Sequence, residues 1–174
     1  LEHDLTILQP TNLKDPEFIS QLKALNANLQ IVVAFRMLPE IVWAMPELGT
    51  FNLHASLLPQ YRGAAPINWA IINGENKTGA TTFFLEKKID TGHIISSVST
   101  TISNTETAGD LHDRLMIMGS QLVLKTTQAI AKGEMKTTPQ KDILSQKTKI
   151  KHAPKLNKEN CRIDWDNKGE NIYN

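Results

Sequence analysis

Asn52-Leu53-His54-Ala55-Ser56 places an amide, an imidazole and a hydroxyl at alternate positions, and Asp90-Thr91-Gly92 adds a carboxylate further on. At the period of two that a strand imposes, Asn52, His54 and Ser56 share one face, and Leu53 and Ala55 share the other. A strand covered by helices on both faces favours apolar residues throughout, so polar side chains in register are costly unless they face a cleft. Pro59 then ends the strand, and Gly63 with Pro66 shapes a loop into the next helix. The carboxyl end of a strand is where open α/β sheets bind ligands. Amide, imidazole and carboxylate together suit acyl transfer between two bound substrates. An amine attacks a carbonyl, an asparagine N–H can hold the developing oxyanion, and histidine can take or share the amine's proton or, when protonated, donate to the oxyanion. A nearby carboxylate orients the ring and favours its charged form. This chemistry requires Asp90 to approach His54, directly or through one water.

Each residue also has a plain structural reading. A single strand histidine is commonly a hydrogen-bonded core residue, and Asp-Thr-Gly is a frequent turn. Aspartic proteases use the same tripeptide, but they need two such aspartates in an all-β fold. His93 beside a glycine reads as solvated, and His3, His112 and His152 have no polar constellation around them. Zinc-ligand spacing, dinucleotide or Walker glycine loops and a Gly-x-Ser-x-Gly elbow are all missing from the sequence. Ser56 is therefore a poor candidate nucleophile.

The elements that position these residues alternate. Leu5 to Leu8 reads as a short strand ended by Pro10. Asp15-Pro16-Glu17 opens a helix with a capping aspartate and a proline in the first turn. Residues 29–35 form a nearly continuous β-branched run, the pattern of a central parallel strand. Pro39-Glu40 opens a short helix through Met45, and a strand at 50–56 follows. A helix spans 64–73 up to Gly74. Strands at 78–85 and 94–102 form an antiparallel pair, and a long amphipathic helix runs from Thr107 to Lys132, stopped by Gly133. Helix–strand alternation predicts parallel βαβ units. Residues 134–160 are polar and lysine-rich, with Pro139 and Pro154, and read as a linker.

With 174 residues the chain suits one domain and the start of another, and 40 % hydrophobic residues suffice for a core. Nineteen basic and 18 acidic residues leave a net charge of +1, so the chain as a whole does not attract nucleic acid electrostatically. The lysines do cluster between Lys132 and Lys158, as either a solvated face or a nucleic-acid contact. Cys161 is the only cysteine, which rules out an intrachain disulfide and a cysteine zinc cluster. Without a signal-peptide or membrane-span pattern, a cytoplasmic location is expected. Leu1 runs straight into strand-like sequence, and residues 167–174 stop in what reads as the first turn of a helix. A piece of a longer protein is expected.

The run Asn52-Leu-His54-Ala-Ser56-Leu-Leu-Pro59, its continuation Tyr61-Arg62-Gly63-Ala-Ala-Pro66, and Asp90-Thr91-Gly92 resemble the folate-dependent formyltransferases. The resemblance covers nearly the whole chain. Tyr61 to Ile67, with Ala153-Pro154-Lys155-Leu156 and Arg162-Ile163-Asp164-Trp165, is similar to the members that act on methionyl-tRNA. The resemblance implies an α/β, Rossmann-like formyltransferase fold with a mostly parallel central sheet flanked by helices. It implies Asn52, His54 and Asp90 as catalytic residues in formyl transfer from 10-formyltetrahydrofolate to the amino group of methionyl initiator tRNA, in translation initiation. Asn52 would bind the formyl oxygen, His54 would act as acid, base or oxyanion partner, and Asp90 would tune His54. Ser56, Leu57, Leu58 and Pro59 match the folate-contacting segment. The loop Arg36-Met37-Leu38-Pro39 is similar to the one whose backbone reads the pterin ring, with Arg36, Met37 and Leu38 as its contacts. No metal is implied.

By the same resemblance, residues 1–133 are a catalytic domain lacking its first strands, 134–161 a basic linker, and 162–174 the start of a C-terminal tRNA-binding domain. The alternatives are a related enzyme acting on a small amine, such as glycinamide ribonucleotide or an amino sugar, and a non-catalytic folate- or RNA-binding module. The basic linker and the Trp165 segment argue against a small acceptor, which needs neither.

Overall fold

The computed structural model describes residues 3, 5–33, 37–144 and 149–173. Arg36, Lys147 and the end of the strand expected at 29–35 lie outside the described residues. Helix α1 (Pro16–Ala24) starts as its sequence dictates: the Asp15 carboxylate accepts the Glu17 N–H at 3.1 Å, and Phe18 is buried. No strand forms at Leu5 to Leu8; Leu5 and Ile7 are 69 % and 54 % exposed, so apolar alternation alone did not pair this segment.

Strand β1 (Gln30–Val33), helix α2 (Glu40–Trp43) and strand β2 (Thr50–His54) make one parallel βαβ unit, in register Val32 to Asn52. The chain then crosses the short strand β3 (Arg62–Gly63) and helix α3 (Pro66–Ile72). Strand β4 (Lys77–Phe84) returns antiparallel to β2, with Asn52 opposite Phe83 and His54 opposite Thr81. Strand β5 (Ile94–Thr101) pairs antiparallel with β4, giving the order β1-β2-β4-β5. The α/β class and flanking helices match expectation. Within this four-stranded sheet, among the described residues, β1 and β2 pair parallel and the remaining pairs are antiparallel, so the sheet is mixed.

Helix α4 (Ala108–Lys132) covers this sheet. Thr107 and Asp110 form a reciprocal capping box at its start, and Gly133, at φ +68°, ends it. Its buried residues recur every three to four positions, at Leu111, Leu115, Gly119, Leu122, Thr126 and Ile130. Leu111 and Leu115 pack with Ala70 of α3 and Ile102. Phe51, Phe83 and Leu111 are fully enclosed, so the core lies directly behind the polar end of β2.

The segment expected to be a linker runs across this domain. It forms the short helix α5 (Gln140–Ile143) and strand β6 (His152–Ala153), which pairs parallel with β3. A single turn, α6 (Gly169–Tyr173), follows late in the chain. Among the described residues no helix is long and apolar enough to cross a membrane, and no group of three or more ionisable metal ligands occurs.

Candidate active site

The residues predicted to do chemistry converge at the end of β2. Asn52, His54 and Asp90 are 4 %, 6 % and 7 % exposed, and all three line one cavity of about 1050 Å³. Asn52 Oδ1 is buried and has no hydrogen-bond partner among the described residues. A buried unpaired amide oxygen costs roughly 1–3 kcal/mol, so its persistence here marks a site where a ligand can supply the missing bond.

The His54 ring is fixed by two neighbours. Its Nε2 lies 2.8 Å from the Tyr61 backbone carbonyl, and its edge packs against Phe83 with ring centroids 6.4 Å apart. A carbonyl only accepts, so Nε2 carries the hydrogen and Nδ1 is left with the lone pair in the neutral ring. That Nδ1 lies 3.9 Å from Asp90 Oδ2. The separation is too long for a direct hydrogen bond but is spanned by one atom to the side.

Asp90 is itself held. Its Oδ2 accepts the Gly63 N–H at 2.9 Å, and its backbone is left-handed at φ +53°. Aspartate tolerates that conformation better than most side chains. Gly92 sits where a Cβ would fall 1.7 Å from the Phe84 carbonyl, so only glycine lets the turn fold back on β4.

The loop that supplies the Tyr61 carbonyl and the Gly63 N–H is clamped from outside. Gly63, at φ +127°, lies so close to β6 that a Cβ would meet the Ala153 carbonyl at 2.3 Å. Tyr61 N–H donates to the Lys151 carbonyl at 2.7 Å. The Tyr61 hydroxyl and the Lys151 ammonium both donate to Glu75 Oε1, and Asn73 donates to the Tyr61 hydroxyl at 3.2 Å. Burial, reinforced by Glu75, pushes the Tyr61 phenol well above its ordinary range. Burial alone would raise the Glu75 carboxyl, but the bonds from Lys151 and Tyr61 outweigh it and hold the group below its usual range. Lys151 is thus engaged within the fold rather than free for a polyanion.

The other residues anticipated at the site separate into two sets. Met37 and Leu38 line the cavity with Pro39 and Trp43, whereas Arg36 lies outside the described residues. Ser56, Leu57, Leu58 and Pro59 do not line it. Ser56 is fully buried and donates to the Gln60 carbonyl at 2.7 Å; Leu58 packs with Phe83 and Ile94. Leu57 lies against Gly79, and the Leu58–Pro59 peptide is cis. Ser56 shares the β2 face of Asn52 and His54 by alternation, but the strand ends at His54 and the chain turns away. Sequence reasoning did not single out Tyr61 and Gly63 as partners of His54 and Asp90. The only signal for them was their place in the run that continues from the histidine.

A family model described as formyl transferase matches residues 2–127. The chain is 63 % identical over all 174 residues to methionyl-tRNA formyltransferase of Flavobacterium johnsoniae, covering 54 % of that protein. It is 56 % identical over 173 residues to the enzyme of the same name from Bacteroides fragilis, covering 53 % of it. The chain thus spans about half the length of the curated relatives it matches. Among solved structures, the formyltransferase PseJ of Anoxybacillus kamchatkensis, in complex with a formamido sugar nucleotide and tetrahydrofolate, superposes at TM-score 0.71. It is 22 % identical, with 90 % of this chain and 77 % of that one covered. An N-formyltransferase from Helicobacter canadensis, in complex with folinic acid and dTDP-3-aminofucose, superposes at TM-score 0.62. It is 27 % identical, with 71 % and 44 % covered.

Proposed function

Since the chain belongs to the formyl transferase family, we propose that it carries the catalytic part of an enzyme that formylates methionyl initiator tRNA from 10-formyltetrahydrofolate. The cavity suits such a co-substrate. Its volume, about 1050 Å³, accommodates a folate-sized molecule, its walls at Met37, Leu38, Pro39 and Trp43 are apolar, and the buried Asn52 amide oxygen has no partner among the described residues. The folate supplies a formyl carbonyl that is open to attack by an amine.

Asn52, turned by half a rotation about its terminal bond, directs an N–H at the formyl oxygen and stabilises negative charge there. His54, with Nε2–H held by the Tyr61 carbonyl, would take the attacking amine's proton at Nδ1. It would return that proton to the folate nitrogen as the bond from that nitrogen to the formyl carbon breaks, releasing tetrahydrofolate and leaving the formyl group on the amine. Asp90 Oδ2, 3.9 Å from Nδ1, stabilises the imidazolium that results and reaches it through one intervening atom. The loop expected at 36–38 would border the pterin through Met37 and Leu38. Ser56, Leu57, Leu58 and Pro59 support the site from behind, by tying the end of β2 to Gln60 and to the core.

On this reading residues 1–133 are the catalytic domain, 134–161 a basic connection that packs on it, and 162–174 the beginning of a tRNA-binding domain. Lys149, Lys155 and Lys158 of that connection would face the acceptor RNA, and the enzyme would act in the cytoplasm during translation initiation.

The observation that carries the proposal is the Asn52 amide oxygen, without a partner among the described residues, beside the His54–Asp90 pair in one cavity. The test is the acceptor preference of the intact protein carrying this chain. Formylation of methionyl initiator tRNA is expected, together with a loss of ~10²-fold or more in kcat for Asn52→Ala. Formylation of glycinamide ribonucleotide or of an amino-sugar nucleotide instead would assign the small-amine alternative, to which the Helicobacter canadensis similarity points. Folate or RNA binding without turnover would make the chain a binding module.

A further inference from the structure

Gln140 belongs to the segment that reads as a linker and lies beyond the residues matched by the family model, yet it is only 3 % exposed. Its carboxamide is fully engaged. Nε2 donates to the backbone carbonyls of Asp90 and Gly92, each at 2.9 Å. Oε1 accepts from Arg62 Nε at 3.0 Å and Nη2 at 2.6 Å. Two donors and two lone pairs are all that a carboxamide has, so no bonding capacity is left over for a ligand. Gln140 does not line the cavity.

These four bonds join two segments that meet a second time at the site itself, where Gly63 N–H donates to Asp90 Oδ2 at 2.9 Å. The arrangement closes a ring: Arg62 to Gln140, Gln140 to the Asp90 and Gly92 backbone, and the Asp90 carboxylate back to the residue after Arg62. Asp90 is left-handed at φ +53°, a conformation that non-glycine residues hold where the surroundings enforce it. From outside its own turn, Gly63 N–H donates to the Asp90 carboxylate and Gln140 Nε2 to the Asp90 carbonyl. The same ring places the Arg62 guanidinium where it feels the Asp90 carboxylate, which opposes the downward pull of burial on that arginine.

We propose that Gln140 is a positioning residue for the reaction: it holds the 90–92 turn and the Arg62–Gly63 loop together, so that Asp90 Oδ2 faces His54 Nδ1. The inference rests on the formyl-transfer reading above, and it places part of the catalytic geometry in the segment after α4. Its effect passes through Asp90 rather than through contact with substrate.

The test uses the intact protein carrying this chain, with Gln140→Met, which keeps length and volume but removes the bonds, and Gln140→Glu, which keeps acceptors for Arg62 but removes both donors. Each is expected to lower kcat by roughly 10-fold, since small misplacements of catalytic groups cost 10–10²-fold, with KM for 10-formyltetrahydrofolate and for acceptor within about twofold. In an Asp90→Asn background, Gln140→Met is expected to lower kcat less than about twofold further, because its route is already cut. A merely structural glutamine would lower activity equally in both backgrounds, and that additivity would overturn the inference. Wild-type kcat in both variants, while Asn52→Ala is inactive, would overturn it and leave the formyl-transfer reading intact. An active Asn52→Ala would sink that reading and this inference with it. Thermal unfolding is followed alongside; if Gln140→Met loses its fold, Gln140→Glu alone decides by the same comparison.

Discussion

His54 Nε2–H donates to the Tyr61 backbone carbonyl at 2.8 Å, and this single contact decides which ring nitrogen faces Asp90. A carbonyl cannot donate, so the neutral ring must present the Nδ1 lone pair to the cavity, 3.9 Å from Asp90 Oδ2. Tyr61 offers that carbonyl from a left-handed backbone at φ +60°, held by the Lys151 carbonyl on one side and by its hydroxyl bond to Glu75 on the other. The orientation of the imidazole is therefore set by a peptide group seven residues away.

Asp90→Asn separates charge from shape. Asparagine also tolerates the left-handed conformation and its oxygen still accepts the Gly63 N–H, so the turn is expected to survive. Only the negative charge is lost. On the proposed chemistry kcat falls by roughly 10²-fold while the melting temperature moves by no more than a few degrees. Steady-state kinetics beside a thermal melt checks both, and unchanged kcat would remove Asp90 from the mechanism.

Gly63→Ala tests the clamp on the loop. The added Cβ would meet the Ala153 carbonyl at 2.3 Å with the backbone at φ +127°, so β6 must separate from β3. A loss of about 2–4 kcal/mol is expected in denaturant unfolding, because both strain and pairing are involved. A variant within 0.5 kcal/mol of the parent would show that the strand pair contributes little.

Acid should loosen the same clamp through Glu75. Its carboxyl is held below the ordinary range in the folded chain by the Lys151 and Tyr61 bonds, against the upward pull of burial. A depressed carboxyl stabilises the fold at pH above its unfolded value of about 4.3, and that contribution is lost as pH falls through the lower folded value. The ion pair is partly exposed, so about 0.5–1 kcal/mol is at stake. Glu75→Gln should flatten this part of the stability–pH curve below about pH 5; an identical curve would assign the acid sensitivity elsewhere.

Leu111→Ala probes the core behind the site. Leu111 is fully buried against Ala70, Ile102 and Leu115, and its truncation should cost about 2–5 kcal/mol with KM little changed in the fraction that remains folded. Chemical denaturation measures the first quantity and initial-rate kinetics the second.

The sequence by itself carried what depends on near neighbours. Asn52 and His54 share a face because strand side chains alternate, α1 begins at Asp15 because the carboxylate caps it, and α4 runs from Thr107 to Gly133 because both ends carry their caps. Tertiary structure decided what depends on contacts across long separations. The apolar residues at Leu5 to Leu8 formed no strand, and β4 took the antiparallel side of β2 where alternation pointed to parallel units. Ser56 left the face of His54 because the chain turned before its alternation was used. Gln140 reads as an ordinary polar linker residue until the fold brings it to Arg62 and Asp90, 78 and 50 residues away. Periodicity and capping are written within a few residues of each other, whereas the partner of a buried polar group is chosen only when distant segments close around it.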